Sequence, residues 1–284
     1  EQGNEMIKLT ETKTSPCALG KFGICMIAGA ATVLSGCQSS GGAMGSGTGV
    51  TASDPTRMTR SGFLSDYARL KPVAAMGSME CWRDPRLDAK QFDKVMVSRM
   101  VVSLAPPTDS KEGEQKLMDP SDLKTLTDYF NNALVTALKP QMQVVDQPGP
   151  GVVVIRIALT DLVPTGVTQS VVGTLIPYAA VVEAGAGAAT GRPAGATTYI
   201  GETGMEMQFL DGASAAILAE CRDTEVGRKY AADVDAGAGG AAQTWASGYM
   251  NSFQSWSYAK NAFDKWALLV AKRLGELRGV TPAK

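Results

Sequence analysis

The segment VVVIRIALTDLV, residues 152–163, decides the fold, because a nearly continuous apolar run is typical of a strand inside a sheet that is covered on both faces. Two shorter β-type runs precede it, at residues 91–102 and 143–145. After it, apolar and polar residues alternate over 197–210, a turn follows at Asp211-Gly212, and an apolar run returns over 215–222. The sequence therefore predicts a β-hairpin beside a central strand.

Two other segments carry apolar residues at helical spacing. The first begins with Asp119 as a capping residue and Pro120 at the first helical position, and it ends at Lys139-Pro140. The second runs from Ala259 to Leu277 and is closed by Gly279. The element order β-α-β-β-β-β-α predicts one α+β domain over residues 61–278, a mixed β-sheet of about five strands with two helices on one face.

The composition excludes several classes of activity. The 284 residues include 27 Lys and Arg against 28 Asp and Glu, so no basic surface for nucleic acid is indicated. The chain has no histidine, which removes Ser-His-Asp and Cys-His nucleophiles and every His-ligated metal site. No phosphate-cradling P-loop motif occurs. We expect no cofactor and no metal.

The first 60 residues indicate an address in the cell envelope. A basic stretch, a short apolar run and a small-residue site predict a signal peptide over 1–36, with 1–5 as a start-site extension before Met6. Leu34-Ser35-Gly36-Cys37 resembles the bacterial lipobox, in which the cysteine is acylated. The Gly/Ser-rich residues up to 60 then predict a flexible leash. Gln38 in place of an Asp after the cysteine implies the periplasmic face of the outer membrane.

Two cysteines remain in the folded part, Cys81 and Cys221. In an oxidising compartment they are a candidate disulfide. The alternative is two separately buried small apolar side chains.

SGFLSDYARL at residues 61–70 predicts a short ordered arm that Pro72 ends. This arm, together with WRDP at 82–85 and the C-terminal Trp266-Ala267 and Arg273-Leu274, resembles the bacterial lipoproteins of domain of unknown function 3313. The resemblance covers residues 60 to 278 and implies an envelope lipoprotein of unassigned function. It supplies no catalytic residues, and the two thiols are not part of its pattern.

Charged clusters are interpreted as surface rather than as catalytic sites. Asp84, Asp88 and Asp93 alternate with basic residues, which is typical of a solvated, self-paired loop, although carboxylates can also serve acid/base chemistry. Glu220, Arg222, Asp223 and Glu225 at the end of a strand are interpreted in the same way. Convergence of these acids in one pocket would favour a glycan hydrolase.

Two further patterns are weak. Gly237-Ala238-Gly239-Gly240-Ala241-Ala242 matches the spacing of a dinucleotide-binding turn, but no βαβ unit encloses it, so a plain loop is expected. Four aromatic residues share one face if they lie on a helix: Trp245, Tyr249, Phe253 and Trp256. A core or docking face is favoured over a sugar-stacking platform.

Residues 162–191 contain one charged side chain, Glu183, and form a Gly/Ala-rich insert. The insert is interpreted as a flap buried on the domain, as a surface for self-association or for an envelope protein partner, or as a hairpin in an oligomeric pore. The first functional hypothesis is a non-enzymatic binding or assembly module, membrane-bound through a lipid on Cys37. The alternatives are a carboxylate-dependent envelope glycan hydrolase and a subunit of a secretion-type pore.

Overall fold

The structure, a computed structural model, describes residues 50–103, 119–166, 196, 200–229, 237–252 and 254–280. The chain divides into two compact units, Glu1–Ser39 and Ser40–Lys284, and all described residues lie in the second. No helix among them is both long enough and apolar enough to cross a bilayer.

The described residues form nine strands and three α-helices. The strands are β1 (Thr51–Ser53), β2 (Lys71–Pro72), β3 (Glu80–Arg83), β4 (Lys94–Val97), β5 (Val101–Val102), β6 (Gln143–Val144), β7 (Val152–Val163), β8 (Glu202–Asp211) and β9 (Ile217–Gly227). The helices are α1 (Pro120–Leu138), α2 (Gly237–Asn251) and α3 (Ser257–Arg278).

All nine strands join one mixed sheet, in the order β2-β3-β9-β8-β7-β4-β6. From β2 to β7 along this order, each strand is antiparallel to the next. In contrast, β4 is parallel to both of its neighbours, β7 and β6. The short β1 extends the sheet beside the last residues of β9, and β5 pairs with β7. The predicted mixed α+β fold and the β8–β9 hairpin are confirmed.

The core lies between one face of this sheet and helices α1 and α3. Alternate residues of β7 and β8 point toward the helices, among them Ile155, Ile157 and Met207, which are at most 1% exposed. The two helices meet through aromatic rings, with Phe130 of α1 stacked on Phe263 of α3 at 4.6 Å between centroids. Trp266 of α3 is fully buried beside them.

Local sequence signals fix the start of α1 and the end of α3. The Asp119 side chain accepts a hydrogen bond from the Ser121 backbone, and Pro120 takes the first helical position of α1. At the end of α3, Gly279 adopts φ +71°, a left-handed conformation that glycine enters at low cost. These are the predicted caps.

The structure differs from the sequence prediction in three places. The leash predicted up to residue 60 ends earlier, because Val50 is fully buried and β1 pairs with β9. The sheet has nine strands instead of about five, because β1, β2 and β3 are strands of only two to four residues outside the predicted runs, and the single run predicted at 91–102 divides into β4 and β5. The expected loop at Gly237 is wrong, since α2 begins there. The alanines that alternate with these glycines favour a helix, and Tyr258 secures α2 by donating a hydrogen bond to the Gly248 carbonyl at 2.7 Å.

Candidate functional site

The sheet face turned away from the helices carries rows of polar side chains. In one row, Arg156, Gln208, Glu220 and Trp82 stand opposite one another on β7, β8, β9 and β3. Gln208 Nε2 donates to Glu220 Oε1 at 2.7 Å, and Arg156 donates to Gln208 Oε1 at 3.1 Å. These side chains alternate with the core residues of the same strands, so they form the second face of the sheet.

The arm at residues 61–70 covers this polar face through two serine–glutamate contacts. Ser61 donates its backbone N–H to Glu206 Oε1 at 3.1 Å and its hydroxyl to Oε2 at 2.5 Å. Ser65 repeats the arrangement on Glu220, with its N–H at 2.7 Å and its hydroxyl at 2.9 Å. Both glutamates are fully buried. We call Ser61, Ser65, Glu206 and Glu220 the arm clasp.

Further side chains of the arm reinforce the arm clasp. Tyr67 donates its hydroxyl to Glu206 Oε2 at 2.9 Å, and Arg69 donates to Glu220 Oε2 at 2.6 Å. The Arg69 guanidinium also lies over the Trp82 ring, 3.4 Å from its centroid. Burial raises the pKa of Glu220, but hydrogen bonds from Ser65, Arg69 and Gln208 outweigh it and hold the pKa below its usual value. Glu220 is therefore held as a carboxylate.

A second group of charges is buried on the helix face of β9. Lys265 of α3 pairs with Glu225 at 2.6 Å, and Trp266 donates its indole N–H to Asp223 at 2.9 Å. The Ser53 hydroxyl donates to the other oxygen of Asp223. Burial and the neighbouring Glu225 charge raise the pKa of Asp223 to about 7. These contacts join β1, β9 and α3.

The expected solvated strand end at Glu220, Arg222, Asp223 and Glu225 is therefore wrong. None of the four is more than 8% exposed. The strand β9 continues to Gly227, its alternate residues point to both faces, and the arm covers one face while α3 covers the other. Lys265, adjacent to Trp266 in α3, is a sequence signal from which a buried acid could have been predicted, because a cation on a buried helix face needs a partner.

The acids proposed for a hydrolase do not converge. Asp84 pairs with Arg86 at 2.9 Å, Asp88 accepts a hydrogen bond from the Lys90 backbone, and Asp93 is exposed. The solvated-loop interpretation of these three is confirmed. Glu220 and Asp223 point to opposite faces of β9. Within the described ranges, no three His, Cys, Asp or Glu side chains form a cluster that could hold a metal ion.

Cys81 and Cys221 are joined by a disulfide, with the sulfur atoms at 2.06 Å. The two cysteines are direct register partners on β3 and β9, which lie 140 residues apart in sequence. Their side chains point to the helix face, and their bond forms part of the wall of a cavity. Of the two alternatives for these thiols, the structure contains the bridge.

That cavity is an apolar pocket of about 200 Å³ between the β3–β9 end of the sheet and the last turns of α3. We call it the β3–α3 pocket. Its wall is formed by apolar side chains from β3, β7, β8, β9, α3 and the connecting segments, among them Met76, Phe92, Phe209, Leu218 and Leu274. Its charged lining residues are Arg83, Arg273 and Arg278, and no described acidic residue lines it.

The aromatic residues of the C-terminal region do not form one platform. Trp245 and Tyr249 stack at 5.5 Å on α2, and Trp245 is 46% exposed. Trp256 lies beyond the end of α2, where its indole donates to Asp122 of α1 at 3.0 Å. α2 ends at Asn251 and α3 begins at Ser257, so Trp256 is not on the same helix as the stacked pair, and Phe253 lies outside the described residues.

Several predicted features lie outside the described residues. They are the signal peptide, the lipobox Leu34, Ser35 and Gly36, the lipidation site Cys37, and residues 167–191 of the uncharged insert. The first residues of that insert are described, and Leu162 is buried in β7 while Thr165 donates its backbone N–H to Ser255 at 2.9 Å.

The fold and site define a class of protein, a disulfide-bridged α+β domain with an N-terminal arm held across its sheet and a small apolar pocket beneath its last helix. The family model described as protein of unknown function (DUF3313) matches residues 59–270, which include the arm clasp and most of α3. The chain belongs to this family.

Other comparisons add little to the family match. A search of curated proteins finds no match. Two crystal forms of the PelC dodecamer from Paraburkholderia phytofirmans are similar at 12% identity. One covers 62% of this chain and 95% of PelC with a TM-score of 0.30, and the other covers 63% and 99% with a TM-score of 0.29. Both TM-scores are low, and the dodecamer is the assembly of PelC.

Proposed function

We propose that this chain is a lipid-anchored protein of the periplasmic face of the outer membrane, and that its domain binds an apolar ligand without catalysing a reaction. The single observation that carries the binding role is the β3–α3 pocket, an open apolar cavity of about 200 Å³. Well-packed interiors have few such voids, and a concave apolar site is the usual form of a small-molecule site.

The distribution of acids supports a binding module over a hydrolase. A carboxylate pair for glycan hydrolysis needs two acids facing one cleft. In the described part of the chain, the buried acids each have structural partners: Ser61 for Glu206, Ser65 for Glu220 and Lys265 for Glu225. The β3–α3 pocket has no acid among its described lining residues.

The arm clasp supports the tethered arrangement. Residues 38–49 connect the proposed anchor at Cys37 to the domain, and residues 50–60 lead on to the arm. The first contact of this tether with the domain is β1, which pairs with β9. The second is the arm, which is held by two buried carboxylates. The attachment point is thus built into the sheet, as a tethered domain requires.

The anchor is tested by the Cys37→Ser variant. We expect it to remain an unprocessed precursor without incorporated palmitate, and to be lost from the outer-membrane fraction. The wild type and a variant with Ser39→Ala in the leash serve as controls. Normal acylation and sorting of Cys37→Ser would contradict the proposed location.

The binding role is tested with a neutral apolar fluorescent naphthylamine as probe. We expect its emission to rise in the presence of the domain, and the rise to be lost in Ala219→Trp and in Leu277→Trp, since each indole would fill the β3–α3 pocket. The matched control is Ala246→Trp, which adds the same ring at an exposed position of α2. Circular dichroism checks that each variant is folded. Absence of probe binding by the wild type, or equal binding by all variants, would contradict the role.

A further inference from the structure

Three arginines line the β3–α3 pocket and make it positively charged. Arg83 alternates with Cys81 on β3, so its side chain lies on the same face of the sheet as the disulfide wall. Arg273 and Arg278 approach from the last two turns of α3. All three are among the lining residues, and no described acid lines the cavity to neutralise them.

Part of the hydrogen-bonding capacity of these arginines is unused. The Arg83 side chain is exposed and forms no ion pair or hydrogen bond with any described residue. Arg278 donates one terminal nitrogen to the Gln141 carbonyl at 2.7 Å, but its buried Nε has no partner. A buried donor without an acceptor is unfavourable, and an anion at this position would relieve it. Among the described residues, Arg273 pairs with the half-exposed Glu276 at 2.9 Å, and a ligand can displace such a pair at low cost.

The neighbouring acid does not compete for Arg83. Asp84 follows it directly in the chain, but the carboxylate of Asp84 is engaged by Arg86, and the backbone N–H of Asp84 is bound by the Leu218 carbonyl at 2.9 Å. The guanidinium hydrogen-bonding sites on the pocket side therefore remain open to a carboxylate or a phosphate, the two groups that match their planar fork.

The volume of the β3–α3 pocket limits the size of the apolar part of a ligand. A cavity of about 200 Å³ holds roughly seven groups of the size of a water molecule or a methylene, at about 30 Å³ each. One acyl chain segment fits this space, whereas two chains exceed it. The lining offers no described acid to pair with a cationic head group.

We propose that the β3–α3 pocket binds a single acyl chain with an anionic head group, the chain lying along Phe92, Phe209 and Leu274 and the head group contacting Arg83 and Arg278. The proposal rests on the proposed function, because it names the ligand class of the same pocket. The head group is a carboxylate, as in a free fatty acid, or a phosphate, as in a single-chain lipid.

Displacement of the bound naphthylamine tests the head group. Decanoate, decyl phosphate, methyl decanoate and decyltrimethylammonium are compared below their micelle concentrations. We expect decanoate or decyl phosphate to displace the probe at about tenfold lower concentration than the neutral ester, since a charge-assisted hydrogen bond is worth about a factor of ten or more. The stronger of the two anions identifies the head group. If the ester and the anions displace the probe equally, or if the cation displaces it more strongly, the proposal of an anionic ligand is overturned. The proposed binding function would still stand in that case, because the probe itself binds the pocket.

Arginine variants and chain length complete the test. We expect Arg83→Gln and Arg278→Gln to reduce the preference for the anion about tenfold without changing the affinity for the ester, and Lys272→Gln, an exposed cation on the same helix, to have no effect. The affinity of carboxylates from pentanoate to dodecanoate should rise about fourfold per methylene and level off near seven or eight carbons, where the pocket is full. An unchanged preference in both arginine variants, or affinity that rises evenly to dodecanoate, contradicts the assigned pocket.

Discussion

Replacing Glu220 by leucine should release the arm from the sheet. The Glu220 carboxylate is fully buried and accepts four hydrogen bonds, two from Ser65, one from Arg69 and one from Gln208. Leucine has a similar volume but no acceptor, so Gln208 loses a partner in a buried position. Removal of one partner from a buried charged contact costs about 3–5 kcal/mol. Arg69 is 27% exposed and regains water, so we place the loss at the lower end, about 3 kcal/mol.

Urea denaturation followed by circular dichroism measures the global loss, and limited trypsin digestion measures local release of the arm. Cleavage after Arg69 requires the arm to leave the sheet, and a loss of about 3 kcal/mol raises the open population about a hundredfold. Ser65→Ala keeps the backbone N–H and removes one hydroxyl bond to a charge, so we expect an intermediate loss of about 2 kcal/mol.

The matched control is Glu276→Leu, which removes a half-exposed carboxylate paired with Arg273 and should cost less than about 1 kcal/mol. If Glu220→Leu behaves like this control in urea and its tryptic cleavage after Arg69 is no faster than in the wild type, then the carboxylate does not hold the arm. That result would refute the reasoning about the arm clasp.

Three further results are expected. Reduction of the Cys81–Cys221 bond, which closes a loop with a sequence separation of 140, should lower the free energy of unfolding by up to about 5 kcal/mol, as measured by urea denaturation with and without a thiol reductant. Because burial raises the pKa of Asp223 to about 7, the folded state keeps a proton that the unfolded state releases, so the free energy of unfolding should fall between about pH 4 and pH 7 and level off above. Denaturation of Asp223→Asn over pH 5–8 should lack this fall, and an unchanged profile would contradict the assignment. Trp266→Ala removes a fully buried ring and should cost about 3–5 kcal/mol, whereas a loss below about 1 kcal/mol would contradict its place in the core.

Local signals made the helices and the central strand predictable. The Asp119-Pro120 start and the spacing of Leu126, Phe130 and Leu134 determine α1 within a few residues, because capping and amphipathic periodicity act over short distances. The apolar run of β7 likewise identifies a strand covered on both faces, and the structure has it between β8 and β4. Each of these features is encoded in one continuous segment.

Long-range pairing was not predictable in the same way. SGFLSDYARL indicated an ordered arm, but nothing near Ser61 or Ser65 in the sequence identifies Glu206 and Glu220 as their acceptors. Alternation in β8 showed that one face is polar, and a polar face is normally exposed to water. Here the arm covers it, so Glu206 is buried by residues that lie 145 positions earlier. The disulfide remained an open alternative for the same reason, since its register depends on the pairing of β3 with β9.

The arm clasp and the β3–α3 pocket share the strand pair β3–β9. On the back face, Arg69 bridges Glu220 of β9 and the ring of Trp82 of β3, so the arm braces both strands at one point. On the helix face, the disulfide joins the same two strands one residue away from Trp82 and Glu220. A cavity is stable only where its wall resists collapse, because an unfilled void forfeits packing contacts that relaxation would recover. A strand pair fixed from both faces supplies such a wall, which explains how the domain keeps an apolar pocket open at this edge of its sheet.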